Sequence, residues 1–105
     1  YYQKDYITDE IIQDVKQNTP IVELFQELFP ETQIKKTGKY YNCLCPFHAE
    51  THPSFFLNSK TNIFKCYGCG IKGNVIDLVM KTYKYNFKQA VNFLKRRYLW
   101  QEKNW

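Results

Sequence analysis

Two pairs of metal-ligand residue types constrain this chain more than any other feature of its sequence. Cys45 and His48 form the first pair and Cys66 and Cys69 the second, with two residues inside each pair and 17 between the pairs. Pairs with this spacing present sulfur and nitrogen atoms from one side of a tight turn, and two such turns close a tetrahedron. A set of three cysteines and one histidine suits zinc, and four protein ligands leave no open position for catalysis. We therefore predict one structural zinc ion per chain.

Two other uses of these cysteines are weighed against zinc. No apolar run approaches the roughly 20 residues of a membrane span and no secretory signal is present, so we expect a cytoplasmic chain whose thiols stay reduced rather than forming disulfides. An iron–sulfur cluster is the other metal candidate, and the histidine in the set favours zinc over it.

Cys43 and His52 are left over because neither has the two-residue spacing. We interpret Cys43 as a small buried apolar residue and His52 as a loop residue ahead of Pro53.

The charge of the chain is unevenly distributed along the sequence. Residues 1–34 carry seven acidic residues and two lysines, a net charge of −5, whereas residues 35–105 carry thirteen basic and three acidic residues, a net charge of +10. A chain that turns basic where its metal motif begins indicates a polyanionic partner, and the alternative is a solvated surface from a lysine-rich proteome. The basic part holds only three widely spaced acids, so no carboxylate cluster for catalytic magnesium is predicted. We expect no catalytic site in this chain.

Residue patterns predict a single α+β domain over residues 1–105. Residues 1–32 are predicted to form short helices, with Thr8 as the cap of a helix that begins at Asp9 and Pro20 at the first position of another. Residues 33–73 alternate β-branched and aromatic runs with turn clusters, a pattern typical of a small antiparallel sheet. Residues 74–100 return to helical periodicity, with capping boxes at Asn74 and Asn86.

The central motifs resemble one protein family. The run CPFHAETHPSF at residues 45–55 and the run FKCYGCG at residues 64–70 are similar to the zinc-binding domain of bacterial and phage DNA primases of the DnaG type. The segments that follow, GN at residues 73–74 and IDLVM at residues 76–80, continue the resemblance. It implies a zinc ribbon in which a small antiparallel sheet is flanked by short helices, and it implies that the zinc ligands are Cys45, His48, Cys66 and Cys69.

The resemblance also implies a role in DNA replication. Such domains bind single-stranded template DNA so that a separate catalytic domain can begin an RNA primer there. The chain is thus expected to be the template-recognition part of a DNA primase or a small standalone relative. The implied partners are single-stranded DNA, a catalytic primase domain and a replicative helicase or polymerase, in the cytoplasm at the nucleoid. The rival interpretation is a protein–protein module whose acidic front helices dock on a replication protein. Salt-dependent binding of short single-stranded oligonucleotides distinguishes the two.

A single-strand site combines a basic groove with aromatic faces on which bases stack. Because strand residues alternate between faces, we expect Lys35, Lys39 and Tyr41 to share one face, with Lys36 and Tyr40 on the other. Phe55 and Phe64 are further stacking candidates, although for Phe56 and Phe64 packing in the core is the favoured interpretation. The predicted DNA contacts are Lys35, Lys36, Lys39, Tyr40, Tyr41, Lys60, Lys65, Tyr67 and Lys72.

Overall fold

The computed structural model describes residues 7–49 and 52–99, and within these ranges two helices precede a five-stranded sheet and two helices follow it. The helices are α1 (Asp9–Asn18), α2 (Ile21–Leu28), α3 (Val75–Tyr83) and α4 (Phe87–Leu94), and a π-helical turn, Lys95–Leu99, follows α4. The strands are β1 (Lys35–Thr37), β2 (Tyr40–Cys43), β3 (Phe55–Asn58), β4 (Ile63–Cys66) and β5 (Lys72–Asn74). The predicted α+β class is confirmed. None of the helices in these ranges combines the length and the apolar character that crossing a membrane requires.

Three helices begin at the caps that the sequence indicates. Side-chain oxygens of Thr8, Asn74 and Asn86 accept backbone N–H groups in the first turns of α1, α3 and α4. In α3 and α4 the side chains of Asp77 and Gln89 accept the N–H of the capping residue in return, at 2.9 Å in both cases. These reciprocal bonds satisfy N–H groups that have no partner inside a helix, so the starts of α3 and α4 are determined locally.

The start of α2 differs by one residue from the prediction. Pro20 is the cap residue and not the first helical residue, because its ψ of 119° is extended. The N–H of Ile21 is accepted by the side-chain oxygen of Asn62 at 3.1 Å, from a turn 41 positions away in the sequence. A long-range contact therefore takes the place of a local cap.

The five strands form an antiparallel meander in the order β1-β2-β3-β4-β5. Because each strand returns beside the previous one, alternate connections lie at the same end of the sheet. Residues 38–39 and 59–62 are the turns at one end, whereas residues 44–54 and 67–71 connect strands at the other end. The topology thus brings the Cys-x-x-His and Cys-x-x-Cys segments to one end. Strand β5 was not predicted from the sequence.

One face of the sheet is buried under the helices. Phe55, Leu57 and Phe64 lie on this inner face with at most 1% of their surface exposed. The ring of Phe25 in α2 stacks on Phe55 with 5.2 Å between centroids, and the ring of Phe64 also stacks on Phe55, at 5.5 Å. The hypothesis that Phe55 offers a stacking surface to nucleic acid is therefore wrong, and the favoured interpretation of Phe64 as a core residue is confirmed.

The acidic N-terminal part of the chain and its basic C-terminal part are joined by hydrogen bonds to one carboxylate, that of Glu27. Arg97 donates from Nη2 to Oε2 of Glu27 at 2.6 Å, and the hydroxyl of Tyr98 donates to Oε1 at 2.7 Å. Hydrogen bonds from Arg97 and then from Tyr98 lower the pKa of the Glu27 carboxyl. The Arg97 guanidinium is thus paired with a carboxylate of α2. We therefore do not count Arg97 among the groups that attract a polyanion.

Candidate functional site

The four predicted ligand side chains come together at one end of the sheet. One ligand atom from each of Cys45, His48, Cys66 and Cys69 lies within 4.8 Å of the other three. The Sγ atoms of Cys45 and Cys69 are 4.0 Å apart. Two sulfurs bound to one tetrahedral zinc at about 2.3 Å each stand about 3.8 Å apart. The donor set and its spacing both fit a zinc ion bound by all four side chains.

The first knuckle, which we define as residues 45–48, is fixed to the core by its own aromatic residue. The ring of Phe47 packs edge-on against Phe29 at 5.8 Å and against Phe55 at 6.2 Å. Its backbone N–H donates to Sγ of Cys45 at 3.4 Å. The inward side chain of Phe47 therefore holds the turn that carries the first two ligands.

The second knuckle, residues 66–69, is held by backbone hydrogen bonds. The N–H of Gly70 donates to the carbonyl of Cys66 at 2.8 Å, and Gly70 has a φ of +81°, which favours glycine. The N–H of Tyr67 donates to the carbonyl of Ser54 at 2.9 Å. The hydroxyl of Ser54 lies 3.5 Å from Sγ of Cys66. These bonds aim Cys66 and Cys69 at the same point from one tight turn.

The clustered sulfurs differ in acidity. Burial raises the pKa of Cys45 to about 12, and the neighbouring Cys66 sulfur adds to the rise. Burial also raises the pKa of Cys66, but hydrogen bonds from Ser54 and from two backbone N–H groups of the second knuckle outweigh it and lower the pKa to about 7. Thiolates this close repel one another unless a cation lies between them. A divalent zinc ion supplies that charge and binds each cysteine as thiolate.

The two left-over residues lie outside this group. Cys43 is buried within β2, 3% exposed, and is paired in the sheet with Phe55. His52 is exposed in the connection between β2 and β3. The interpretation of Cys43 as a core residue and of His52 as a loop residue is confirmed.

The face of the sheet opposite the core, which we call the outer face, carries basic and aromatic residues. Side chains alternate between faces along each strand, and cross-strand partners share a face, so the strand register defines its members. They are Lys35, Thr37, Tyr40, Asn42, Phe56, Asn58, Ile63, Lys65, Lys72 and Asn74.

The structure separates the nine predicted DNA contacts into three groups. Lys39 and Lys60 lie in the turns at the end of the sheet away from the ligand cluster. Lys36 and Tyr41 lie on the inner side, where the Tyr41 ring packs against the core and the Lys36 Nζ is 5.7 Å from its centre. The remaining five come together on or beside the outer face: Lys35, Tyr40, Lys65, Tyr67 and Lys72.

The expectation that Lys35, Lys39 and Tyr41 share a face is wrong. A two-residue turn joins β1 to β2 and pairs Lys35 with Asn42. Because cross-strand partners share a face, Lys35 lies on the same side as Tyr40. Alternation counted straight through a hairpin turn does not preserve the faces of the two strands.

The interpretation that Phe56 packs in the core is wrong, because this residue lies on the outer face. Its ring lies between those of Tyr40 and Tyr67, in edge-to-face contacts with centroids 6.4 and 5.5 Å apart. The Nζ of Lys65 stands 4.8 Å from the centre of the Tyr67 ring. The signal was present in the sequence, because Phe56 follows Phe55 in one strand and the two must point to opposite faces.

Known proteins share both the sequence pattern and the fold. The profile of the CHC2 zinc finger family matches residues 7–104. A DNA primase of Clostridium acetobutylicum is 46% identical over 88 residues, which make up 84% of this chain and 14% of that protein. A DNA primase of Thermotoga maritima is 36% identical over 91 residues, or 87% of this chain and 16% of that protein.

A solved structure supports the same relationship. The crystal structure of the Aquifex aeolicus primase, with zinc-binding and RNA polymerase domains, superimposes with a TM-score of 0.76 and 30% sequence identity. The match covers 88% of this chain and 22% of that chain. The zinc cofactor predicted from the ligand spacing agrees with the family and with the observed cluster of donors. The chain belongs to the CHC2 zinc finger family, the zinc-binding domain of DNA primases.

Proposed function

We propose that this chain binds single-stranded template DNA on its outer face, as the template-recognition part of a DNA primase. The proposal rests on a difference between the two knuckles in the direction of their aromatic side chains. Phe47 of the first knuckle points into the core, whereas Tyr67 of the second is 67% exposed and contacts Phe56 on the outer face. A zinc ion held by Cys45, His48, Cys66 and Cys69 would thereby position an aromatic ring at the edge of a basic, aromatic surface.

The chemistry of this surface suits a single strand better than a duplex. Each base stacked on an aromatic side chain contributes about 1–3 kcal/mol, and in a duplex the base faces are hidden. Tyr40 and Tyr67 are 45% and 67% exposed, so both have ring surface available for stacking. Lys35, Lys65 and Lys72 are exposed on the same face and can neutralise phosphates.

The chain spans 14–16% of the length of the primases described above. We propose that primer synthesis belongs to another part of such a protein. We propose that a catalytic primase domain is its partner and extends the primer while this surface holds the template. A replicative helicase or polymerase is the further partner that we propose, and the cytoplasm at the nucleoid is the proposed location. The chain alone is expected to make no primers.

Titration of a fluorescent 12-nucleotide single strand at low salt, followed by anisotropy, measures this binding. Lys65→Ala is expected to weaken binding and to reduce the salt slope by about 1, because one phosphate contact is lost. Tyr67→Leu is expected to weaken binding about 10-fold with little change in the salt slope, because stacking releases few counterions. Tyr67→Phe keeps the ring and is expected to bind like the parent chain.

The matched control is Lys88→Ala, which removes the same charge from an exposed position on α4, away from the outer face. Its effect is expected to be much smaller than that of Lys65→Ala. Equal effects of the two substitutions would show that binding does not use the outer face. A chain that binds no single strand at low salt, or that prefers duplex, would overturn the proposal and favour docking of the acidic helices on a protein.

A further inference from the structure

We infer that the template strand crosses the sheet at right angles to the β-strands, along a line of side chains centred on Phe56. This inference rests on the proposed function and adds the path of the strand. The line consists of directly paired residues, one from each of β1 to β5: Lys35, Asn42, Phe56, Lys65 and Lys72. We call it the transverse line.

The length of the transverse line suits a short segment of single strand. Neighbouring strands lie about 4.8 Å apart, so four spacings from β1 to β5 measure about 19 Å. Small single-strand-binding folds engage about 4–16 nucleotides, and a line of this length belongs at the lower end. A path along the β-strands is shorter, because the strands of this sheet have three or four residues each.

Charge on the outer face follows the transverse line. Lys35 stands at one edge of the sheet, and Lys65 and Lys72 stand toward the other, so positive charge is present at both ends. The neighbouring line, one step farther from the ligand cluster, carries no charged residue: Thr37, Tyr40, Asn58, Ile63 and Asn74. Phosphates crossing the outer face therefore meet lysines along one line only.

Two asparagines of the neighbouring line already serve the fold. The side-chain oxygen of Asn58 accepts the N–H groups of Lys60 and Thr61, at 2.9 and 3.2 Å, and so shapes the β3–β4 turn. The side-chain oxygen of Asn74 caps α3. These oxygens are committed to backbone N–H groups, whereas the side-chain oxygen of Asn42 on the transverse line accepts an exposed side-chain hydroxyl, that of Thr37, at 3.2 Å. The transverse line is therefore the better path for a ligand.

The aromatic rings flank this path. Tyr40 lies on the side of Phe56 toward the turns, and Tyr67 lies on the side toward the ligand cluster. Both rings meet Phe56 nearly at right angles, with interplanar angles of 86° and 79°. Such edge-to-face contacts fix ring orientation, so Phe56 positions both tyrosines as well as contacting the strand. Bases turned to either side of the line then meet a ring.

Four exposed lysines provide a matched test of the path. Lys35 and Lys72 lie at the ends of the transverse line, whereas Lys39 and Lys60 lie in the turns that a strand running parallel to the β-strands would reach. Each is replaced singly by alanine, and binding of a 6-nucleotide single strand is titrated at low salt. Lys35→Ala and Lys72→Ala are expected to weaken binding about 3-fold to 10-fold, and Lys39→Ala and Lys60→Ala less than 2-fold.

The central ring is tested in the same titration. Phe56→Leu is expected to weaken binding about 10-fold at an unchanged salt slope, and Phe56→Tyr to restore it, with zinc content and circular dichroism confirming that both variants fold. Binding by Phe56→Leu equal to the parent chain would overturn the central role of Phe56. Larger or equal losses at Lys39 and Lys60 would overturn the transverse path while leaving the proposed function intact. A parent chain that binds no single strand would instead overturn the proposed function.

Discussion

Replacing Cys45 with serine is expected to abolish zinc binding and to unfold most of the chain. Structural zinc contributes about 10–16 kcal/mol of apparent folding free energy in small zinc fingers, whereas the net stability of a domain is about 5–15 kcal/mol. Cys45 is 5% exposed and its Sγ lies 4.0 Å from that of Cys69, so it is central to the cluster. Loss of one ligand therefore removes an amount of free energy comparable with the whole stability. Elemental analysis and circular dichroism of the purified variant measure both effects, and EDTA is expected to reproduce the unfolding.

Cys43→Ser is the matched control for this experiment. Cys43 lies two residues earlier in the same segment and is also buried, but it belongs to the core and not to the ligand group. Its replacement is expected to cost about 1–2 kcal/mol, through a buried hydroxyl, and to leave one zinc per chain. If Cys43→Ser lost zinc while Cys45→Ser retained it, the ligand assignment would be wrong.

Replacing Asn62 with alanine is expected to lower the free energy of unfolding by about 4 kcal/mol. Its amide Nδ2 donates to the carbonyls of Lys16 and Thr19 at 2.9 and 2.5 Å, and its Oδ1 accepts the N–H of Ile21 at 3.1 Å. One side chain thus joins the end of α1 and the start of α2 to the β3–β4 turn. Each such bond contributes about 1 kcal/mol, and alanine at a φ of 62° adds strain. Urea unfolding at a fixed free zinc concentration measures the change.

Two further substitutions separate the causes of this loss. Asn62→Gly removes the same three bonds but tolerates the positive φ, so it is expected to be about 1 kcal/mol more stable than Asn62→Ala. Asn62→Asp places a carboxylate against two carbonyl oxygens and is expected to be less stable than the glycine variant. If Asn62→Gly unfolded within 0.5 kcal/mol of the parent chain, on the order of ordinary surface substitutions, the bridging role would be refuted.

Local signals in the sequence were sufficient for the helix caps and the ligand set. Thr8, Asn74 and Asn86 act on N–H groups two or three residues away, so their effect can be read without knowing the fold. The spacing inside each knuckle is also local, and the choice of Cys45 over Cys43 followed from it. The family resemblance then supplied the zinc ribbon fold and agreed with the ligand set that the spacing had indicated.

Features made by long-range pairing could not be predicted in the same way. Strand β5 has three residues, one of them glycine, and exists because it pairs with β4. The bonds from Asn62 to α1 and α2 join residues more than 40 positions apart. The face on which Lys35 lies depends on the turn at residues 38–39, and the contact of Phe56 with two tyrosines depends on the register of three strands. Each of these requires the assembled sheet.

The fold divides its aromatic residues between its core and its outer face. Phe25, Phe47, Phe55 and Phe64 are packed together on the inner side of the sheet and tie the first knuckle to the core. The rings on the outer side contact one another but keep exposed surface, and they border the second knuckle. Zinc therefore stabilises the end of the sheet that carries both knuckles, and each knuckle borders one of the two groups of aromatic residues.

Residue-by-residue NMR of the zinc-loaded, ¹⁵N-labelled chain, titrated with a 6-nucleotide single strand at low salt, tests the central claim most directly. The account predicts that amide shifts change along the transverse line and at Tyr40 and Tyr67, whereas α1 and the exposed side of α4 stay unchanged. Shifts concentrated on the acidic helices α1 and α2, or no shifts at saturating strand, would contradict binding of template DNA on the outer face.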